Sequence, residues 1–413
     1  LNLPKYKAGR KKVNIERSIT ARGTSQIGVR LYNERLVLSL IRQYVEVPKA
    51  ELARLTGLSA QTVSVIVRQL EKEGLVIKGV AQRGKVGQPL TPFRLNPDGA
   101  FSIGLKVGRR SGDLVLLDLA GKVRKIVRQP YHFPTPAEFL VFAEKGIAKL
   151  LSDMSMEDRK RISGLGIAAP FELWNWEEEV GAPHEVLEAW RHFDLMGEVA
   201  KISDYPVHPC NDATAACAAE LLFGAGHKAR DFAYFYVGYF IGGGLVLNGT
   251  LFQGRTGNAG ALGSISIPRN GGGAEQLIRA ASLYTLEQAL REQNTNPDML
   301  WNDPNDWSAA STQVTAWIAR AAKAMANASA SIASIIECSE IVIDGAIPPL
   351  VRQDLITAVK LALKNVNLSG ISAFNVREGA IGRDARAIGA ASLPLFANFI
   401  IDRDVLFKEA INA

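Results

Sequence analysis

The stretch KAELARLTGLSAQTVSVIVRQLEKEG, Lys49 to Gly74, reads as a helix, a tight turn and a second helix. Leu52, Ala53 and Leu55 put apolar or small groups on one side of the first helix. Gly57 suits a turn that needs positive φ, and Ser59 is a good N-cap for the second helix. In that helix Val63, Ile66, Val67 and Leu70 fall at i, i+3, i+4 and i+7, which makes one buried stripe. Gln61, Thr62, Ser64 and Arg68 are then expected to point outward, and all of them can hydrogen-bond. A short helix with a packed back and a polar front fits the major groove of DNA. The competing reading is an ordinary helical hairpin whose polar face meets water.

The flanking sequence favours the groove. Val29 opens an earlier helix with Leu31, Val37, Leu38 and Ile41 as core positions. After Gly74, LVIKGVAQRGKVGQPLTPFRLN reads as two short strands around a basic, glycine-rich tip that contains Arg83 and Lys85. Three helices and such a wing make a winged helix-turn-helix domain over 29–98, preceded by a basic arm at 1–28. Ser59 joins Gln61, Thr62, Ser64, Arg68, Arg83 and Lys85 as the expected DNA contacts. Charge has the same asymmetry. Residues 1–100 hold 18 Lys and Arg against 7 Asp and Glu, a net of +11. The other 313 residues hold 30 against 34, a net of −4. Positive charge collected in one domain is the footprint of phosphate neutralisation.

Hydrophobic content of 47% and charged content of 22% are ordinary for a globular chain. No apolar run reaches membrane-spanning length, so a cytoplasmic protein without a membrane partner is expected. Cys210, Cys217 and Cys338 have no CxxC pairing and are expected to fill small core spaces. From residue 99 the composition changes to an α/β body. Strands are expected at Phe101–Val107, Asp113–Leu119 and Val123–Gln129, then a helix near Ala137–Leu151 and a strand into Gly164–Pro170. A similar order comes later, with strands at Phe232–Val237, Gly243–Leu247 and Thr250–Gln253, helices at 274–292 and 310–338, and a strand at Ile341–Asp344. Two such units imply two lobes, about 99–207 and 208–413, with a ligand cleft between them.

These residues resemble the transcriptional-regulator branch of the ROK family (repressor, open reading frame, kinase). The most specific pieces are GLSAQTVSVIVRQLEKEGLV, GLGIAAP, the Asn211-Asp212-Ala213 step and IGGGLVLNGTLFQGRTGNAGALG at 241–263. The resemblance covers nearly the whole chain and implies an actin-like, sugar-kinase-like (ribonuclease H-like) body of residues 99–413 that binds effector and forms a homodimer or homotetramer. It also exposes departures. Where family kinases carry Asp-x-Gly-Gly-Thr to hold nucleotide phosphates, this chain has Lys106, Arg109 and Arg110. Where they carry Gly-Thr-Gly-Ile-Gly, Tyr239 and Phe240 replace Thr and Gly. Amides cradle phosphate only on close approach, which bulky side chains deny. The family's Glu-Ile-Gly-His becomes Ala261-Leu262-Gly263-Ser264, a further Glu aligns with Ile278, and the zinc loop's cysteines are absent.

The resemblance therefore implies no kinase activity, no cofactor and no metal. Asp212 matches the family's general base and Asn211 its ring-fixing neighbour, although the Asn-Asp step also suits a helix cap. Asn258, Glu172 and Arg255 complete the expected effector contacts, each with a loop or surface role as its alternative. Trp174, Trp176 and Trp190 are expected in the core. The expectation is a sugar-responsive repressor that places two recognition helices on a palindromic operator. The alternatives are a bifunctional sugar kinase and a regulator governed by a protein partner without a small effector.

Overall fold

The computed structural model describes residues 26–81, 91–171, 173–175, 183–224, 229–269 and 271–401. The first unit is built from α1 (Gln26–Tyr44), β1 (Val47–Pro48), α2 (Lys49–Thr56), α3 (Ala60–Lys72), β2 (Val76–Lys78) and β3 (Pro92–Leu95). The local signals act as physical chemistry demands. Gly57 closes α2 at φ 71° with its N–H on the Ala53 carbonyl. The Ser59 side chain accepts from the Thr62 amide and opens α3. Val63, Ile66, Val67 and Leu70 are all buried. β3 lies between β1 and β2 in an antiparallel sheet, so the expected two-strand wing has a third strand. Leu31, expected in the core, is 42% exposed, while Val37, Leu38 and Ile41 are buried. The wing tip with Arg83 and Lys85, and the arm before Gln26, lie outside the described residues.

The body contains two five-stranded sheets of the same design. The first is formed by β4 (Phe101–Val107), β5 (Ser111–Asp118), β6 (Val123–Pro130), β7 (Ile162–Ala169) and β8 (Val207–Asn211). Their spatial order is β6-β5-β4-β7-β8, antiparallel in the meander and parallel from β4 onward. Between β6 and β8 run α4 (Pro136–Leu151), α5 (Met156–Lys160), α6 (His184–Arg191) and α7 (Leu195–Lys201). After β8 come α8 (Asp212–Phe223), β9 (Phe232–Val237), β10 (Gly242–Leu247), β11 (Thr250–Phe252), β12 (Ser266–Pro268) and β13 (Ala274–Gln276). The chain continues through α9 (Leu277–Ala281), α10 (Leu283–Glu292), α11 (Met299–Asn302), α12 (Ser311–Ile336), β14 (Glu340–Gly345), α13 (Pro349–Leu363), β15 (Asn375–Glu378) and α14 (Ala385–Phe399). The second sheet is ordered β11-β10-β9-β14-β15.

Three expectations need correction. The lobe boundary at 207/208 falls at the start of a strand of the first sheet, because β8 pairs with β7. The chain also returns: α14 packs on β4, β7 and α8. The single helix expected at 274–292 is a short strand followed by two helices. They part at Ser282, which is extended (φ −80°, ψ 152°) and held there by Ile241 N–H on its Oγ and Trp317 Nε1–H on its carbonyl. Cys217 and Cys338 are buried as expected, whereas Cys210 is only part-buried.

The winged unit is not a loosely tethered appendage. Val37, Leu38 and Ile41 of α1 share one apolar cluster with Leu117 and Leu119 at the end of β5 and with Ala391 and Leu395 of α14. Arg35 donates to the Ala397 carbonyl at 2.8 Å. The turn at Asn96 is tied back to the winged unit, its Nδ2 donating to the Gly74 carbonyl at 2.7 Å.

α14 sits so close to its neighbours that small residues are obligatory. A Cβ on Gly389 would lie 1.8 Å from the Ala215 carbonyl of α8, and one on Gly166 the same distance from the Ala390 carbonyl. Gly389→Ala is therefore expected to destabilise the fold by about 1–3 kcal/mol through overpacking, read as a lower midpoint of urea unfolding. An unchanged midpoint would show that this contact is looser than described.

Candidate DNA-reading face and effector cleft

On α3 the exposed residues include Gln61, Val65 and Arg68, spaced i, i+4 and i+7. Val65, which a search for polar groups passes over, is 60% exposed. Its solvent position is visible in the helical spacing, and a thymine methyl is the groove feature an exposed Val suits. Ser59 and Thr62 share a 2.8 Å hydroxyl contact at the helix start. Ser64 does not belong to this outward set. It is half-buried, and Lys49 Nζ donates to its hydroxyl at 3.4 Å from α2.

The cleft lies where β8 runs into α8 and β9 runs into β10. Asn211, Asp212 and Asn258 line it together with Arg109, Tyr239, Phe240 and Arg386. Ala261, Gly263, Ser264 and Ile278 lie on the same wall. Arg255, expected to clamp an anion there, is exposed and is not among the lining residues. Glu172 and Trp176 lie outside the described residues. Trp190 is buried with its Nε1–H on the Pro134 carbonyl, and Trp174 packs part-buried on the same core. The free space is about 130 Å³, below the 300–1,000 Å³ range typical of drug-sized ligand pockets.

The capping role falls to Asn211, not Asp212: its Oδ1 accepts from the Ala213 and Thr214 amides. Asp212 accepts from Arg386 Nη1 at 2.9 Å. Arg386 lies 4.7 Å over the Tyr236 ring, and its pKa is held above its ordinary value because Tyr236 and Asp212 outweigh the desolvation of burial. One of the two Asp212 carboxylate oxygens is thus engaged by a neighbouring cation. Sequence reasoning missed Arg386. It sits in an alanine-rich helix 174 residues away, and nothing local marks it.

The two loops singled out by the family resemblance carry bulky, bonded side chains. Lys106 is buried and bonds to Asp113, which also accepts from Arg128 at 2.7 Å. Burial pushes the Lys106 ammonium down to about 8 although Asp113 pulls the other way, and the same cations hold the Asp113 carboxyl well below its usual range against the desolvation of burial. Arg109 lies 4.0 Å over the Phe240 ring. Arg110 Nη2 donates to both oxygens of Glu287, at 2.8 and 2.9 Å. Glu287 is fully buried and also accepts from Trp301 Nε1 (2.6 Å) and Arg291 (2.8 Å). The Tyr239 and Phe240 rings meet edge-on at 5.1 Å. The carbonyls of Gly238 and Tyr239 accept from the first amides of α10, Leu283 and Tyr284. The amides that would greet an anion at this helix start are spent on the loop itself.

The result is a side-chain bridge between the lobes, with Arg109 and Arg110 from the first and Phe240, Tyr239 and Glu287 from the second. Among the described residues no group of His, Cys, Asp and Glu is arranged to hold a metal ion, and no helix is long and apolar enough to cross a membrane. Removing the buried carboxylate strands the guanidinium, so Glu287→Ala is expected to cost about 3–5 kcal/mol. Chemical denaturation measures it, and a loss below about 1 kcal/mol would show that the bridge carries little energy.

Comparison with known proteins agrees with this architecture. The ROK family profile matches residues 102–395 and a winged helix-turn-helix DNA-binding profile matches residues 30–77. The chain is 28% identical over 273 residues to a xylose repressor of Bacillus spizizenii, covering 64% of this chain and 68% of that one. Its fold is shared with a ROK-family transcriptional regulator described as a homolog of the E. coli MLC protein (TM-score 0.63, 20% identity, 92% of this chain and 100% of that chain). The body alone is similar to a ROK-family glucokinase from Streptomyces griseus solved with glucose and AMPPNP (TM-score 0.56, 20% identity, 71% and 99%). This chain therefore belongs to the ROK family, as a transcriptional regulator in which a winged helix-turn-helix domain is joined to a sugar-kinase-like body.

Proposed function

We propose that the chain is a repressor that binds a palindromic operator as a homodimer or homotetramer, releases or grips it according to a sugar or sugar-derived effector in the interlobe cleft, and does not phosphorylate that effector. One arrangement carries this reading: an exposed Gln61–Val65–Arg68 face on a domain whose core is continuous with a body whose nucleotide loops are plugged by its own side chains. The relative named as a xylose repressor supports a sugar as the effector class.

Each contact has its own role. Gln61 and Arg68 hydrogen-bond base edges and Val65 contacts a thymine methyl. Ser59 and Thr62, at the start of α3, approach a phosphate, and Arg83 and Lys85 add phosphate contacts from the wing. In the cleft Asn211, Asn258 and the Asp212–Arg386 pair hydrogen-bond sugar hydroxyls, and Glu172 stays a proposed contact from the sequence alone. The loss of family acidic and imidazole groups at Ala261, Ser264 and Ile278 favours a less hydroxylated ligand, because unpaired hydroxyls are costly to bury. Since the cleft is small as described, binding must widen it. The effector acts as a switch only by its differential affinity for the wider and narrower states.

Fluorescence anisotropy with DNA from the chain's own upstream region tests the reading. Gln61→Ala/Val65→Ala/Arg68→Ala is expected to lose discrimination against scrambled DNA by about 1–3 kcal/mol per contact removed. Arg83→Ala/Lys85→Ala should instead weaken binding to all DNA and reduce the salt slope by about one per phosphate contact. A sugar panel should shift operator affinity while coupled ADP-release assays show no turnover. Retained discrimination in the triple variant refutes the DNA-reading face, and sugar-dependent ADP release that Asp212→Ala abolishes refutes the non-kinase reading.

A further inference from the structure

A second cavity, of about 640 Å³, lies between the winged domain and the body and shares no lining residue with the effector cleft. Its walls come from the last turn of α1, the turn after β5, the end of α8 and the end of α14. Leu221, Phe396 and Ile400 make much of it apolar. Its charged described lining residues are Arg42, Lys122 and Arg230, with no carboxylate among them.

Arg42 is the unusual member. Its Nε and Nη1 are sealed from solvent and have no hydrogen-bond partner, although the residue as a whole is part-exposed. A guanidinium normally accompanies a carboxylate when its nitrogens are buried, because an unpaired buried charge is expensive. The deeply placed cations of the interlobe region each have such a partner or an aromatic face: Lys106 has Asp113, Arg110 has Glu287, Arg386 has Asp212, and Arg109 has Phe240. At Arg42 burial acts alone and pushes the guanidinium down to about 10. Close by, Val45, which also lines the cavity, holds φ 66° and is 70% exposed. A β-branched residue in the left-handed region is strained, and it marks where α1 leaves this cavity for the recognition helices.

We propose that this cavity is a second ligand site, separate from the interlobe cleft, that takes a small amphipathic organic anion. Its carboxylate or phosphate sits against Arg42, whose side chain turns to present the sealed Nε and Nη1, with Lys122 and Arg230 at the mouth, and its apolar body packs on Leu221, Phe396 and Ile400. The volume is within the range of small-molecule sites. Because one wall belongs to α1 and the others to the body, the occupant touches both partners of the domain junction. Its binding therefore alters operator affinity to the extent that it prefers one placement of α1 over another.

The full-length chain can be titrated with the fluorescent hydrophobic anion 8-anilinonaphthalene-1-sulfonate, and in parallel with the neutral N-phenyl-1-naphthylamine. The expected result is one saturable anilinonaphthalenesulfonate site, displaced by decanoate. Arg42→Met should weaken both anions at least tenfold and leave the neutral probe unchanged. Should that variant fail to fold, Lys122→Met/Arg230→Met, at two exposed positions, should weaken the anions severalfold with the same indifference of the neutral probe. Absence of saturable anion binding by the unaltered chain overturns the proposal. So does equal anion affinity in the substituted chains.

Discussion

Helix α14 is the constraint on which the rest of the molecule depends. At its first turn Arg386 pairs with Asp212 in the cleft. In its middle Gly389 and Ala390 press against α8 and against Gly166 of β7 with no room for a further carbon. From Ala391 to Leu395 it enters the apolar cluster of the winged domain, and near its far end the Ala397 carbonyl takes the Arg35 guanidinium. A helix of this length spans about 22 Å, so one element touches the ligand wall, β4, β7 and α8 of the body and the winged unit. Its sequence, ARAIGAASLPLFANF, is rich in small residues because its closest contacts are backbone approaches.

The interlobe region is filled by side chains from both lobes. Bulky side chains at Arg109, Arg110, Tyr239 and Phe240 do more than obstruct. They find partners in one another and in Glu287, so the space is occupied by a bonded network and not by an accidental plug. Each buried carboxylate serves two cations: Lys106 and Arg128 share Asp113, while Arg110 and Arg291 share Glu287. Buried ions are tolerated in this arrangement only because each has its counter-ion and further hydrogen bonds.

What was legible in the sequence was what local periodicity and turn chemistry encode. Val63, Ile66, Val67 and Leu70 announced α3 at helical spacing, and β4 and β9 were bounded to the residue by their apolar runs. The bulk of Arg109, Arg110, Tyr239 and Phe240 was legible from the sequence, but not the bridge they form with Glu287. The misses share a cause, which is contact between residues far apart in the chain. The break at Ser282 depends on Trp317, the Arg386–Asp212 pair spans 174 residues, and the membership of β8 in the first sheet is decided by pairing with β7. Ser64 was misplaced because polarity alone cannot tell a solvent-facing hydroxyl from one held by Lys49. Val65 was overlooked for the converse reason.

The Arg110–Glu287 bridge has a consequence for how the two lobes are held. Holding two lobes together takes a tie that reaches across the cleft between them. Here the chain supplies both ends of that tie from its own side chains. A tether that the chain itself supplies is present whether or not anything else is bound between the lobes.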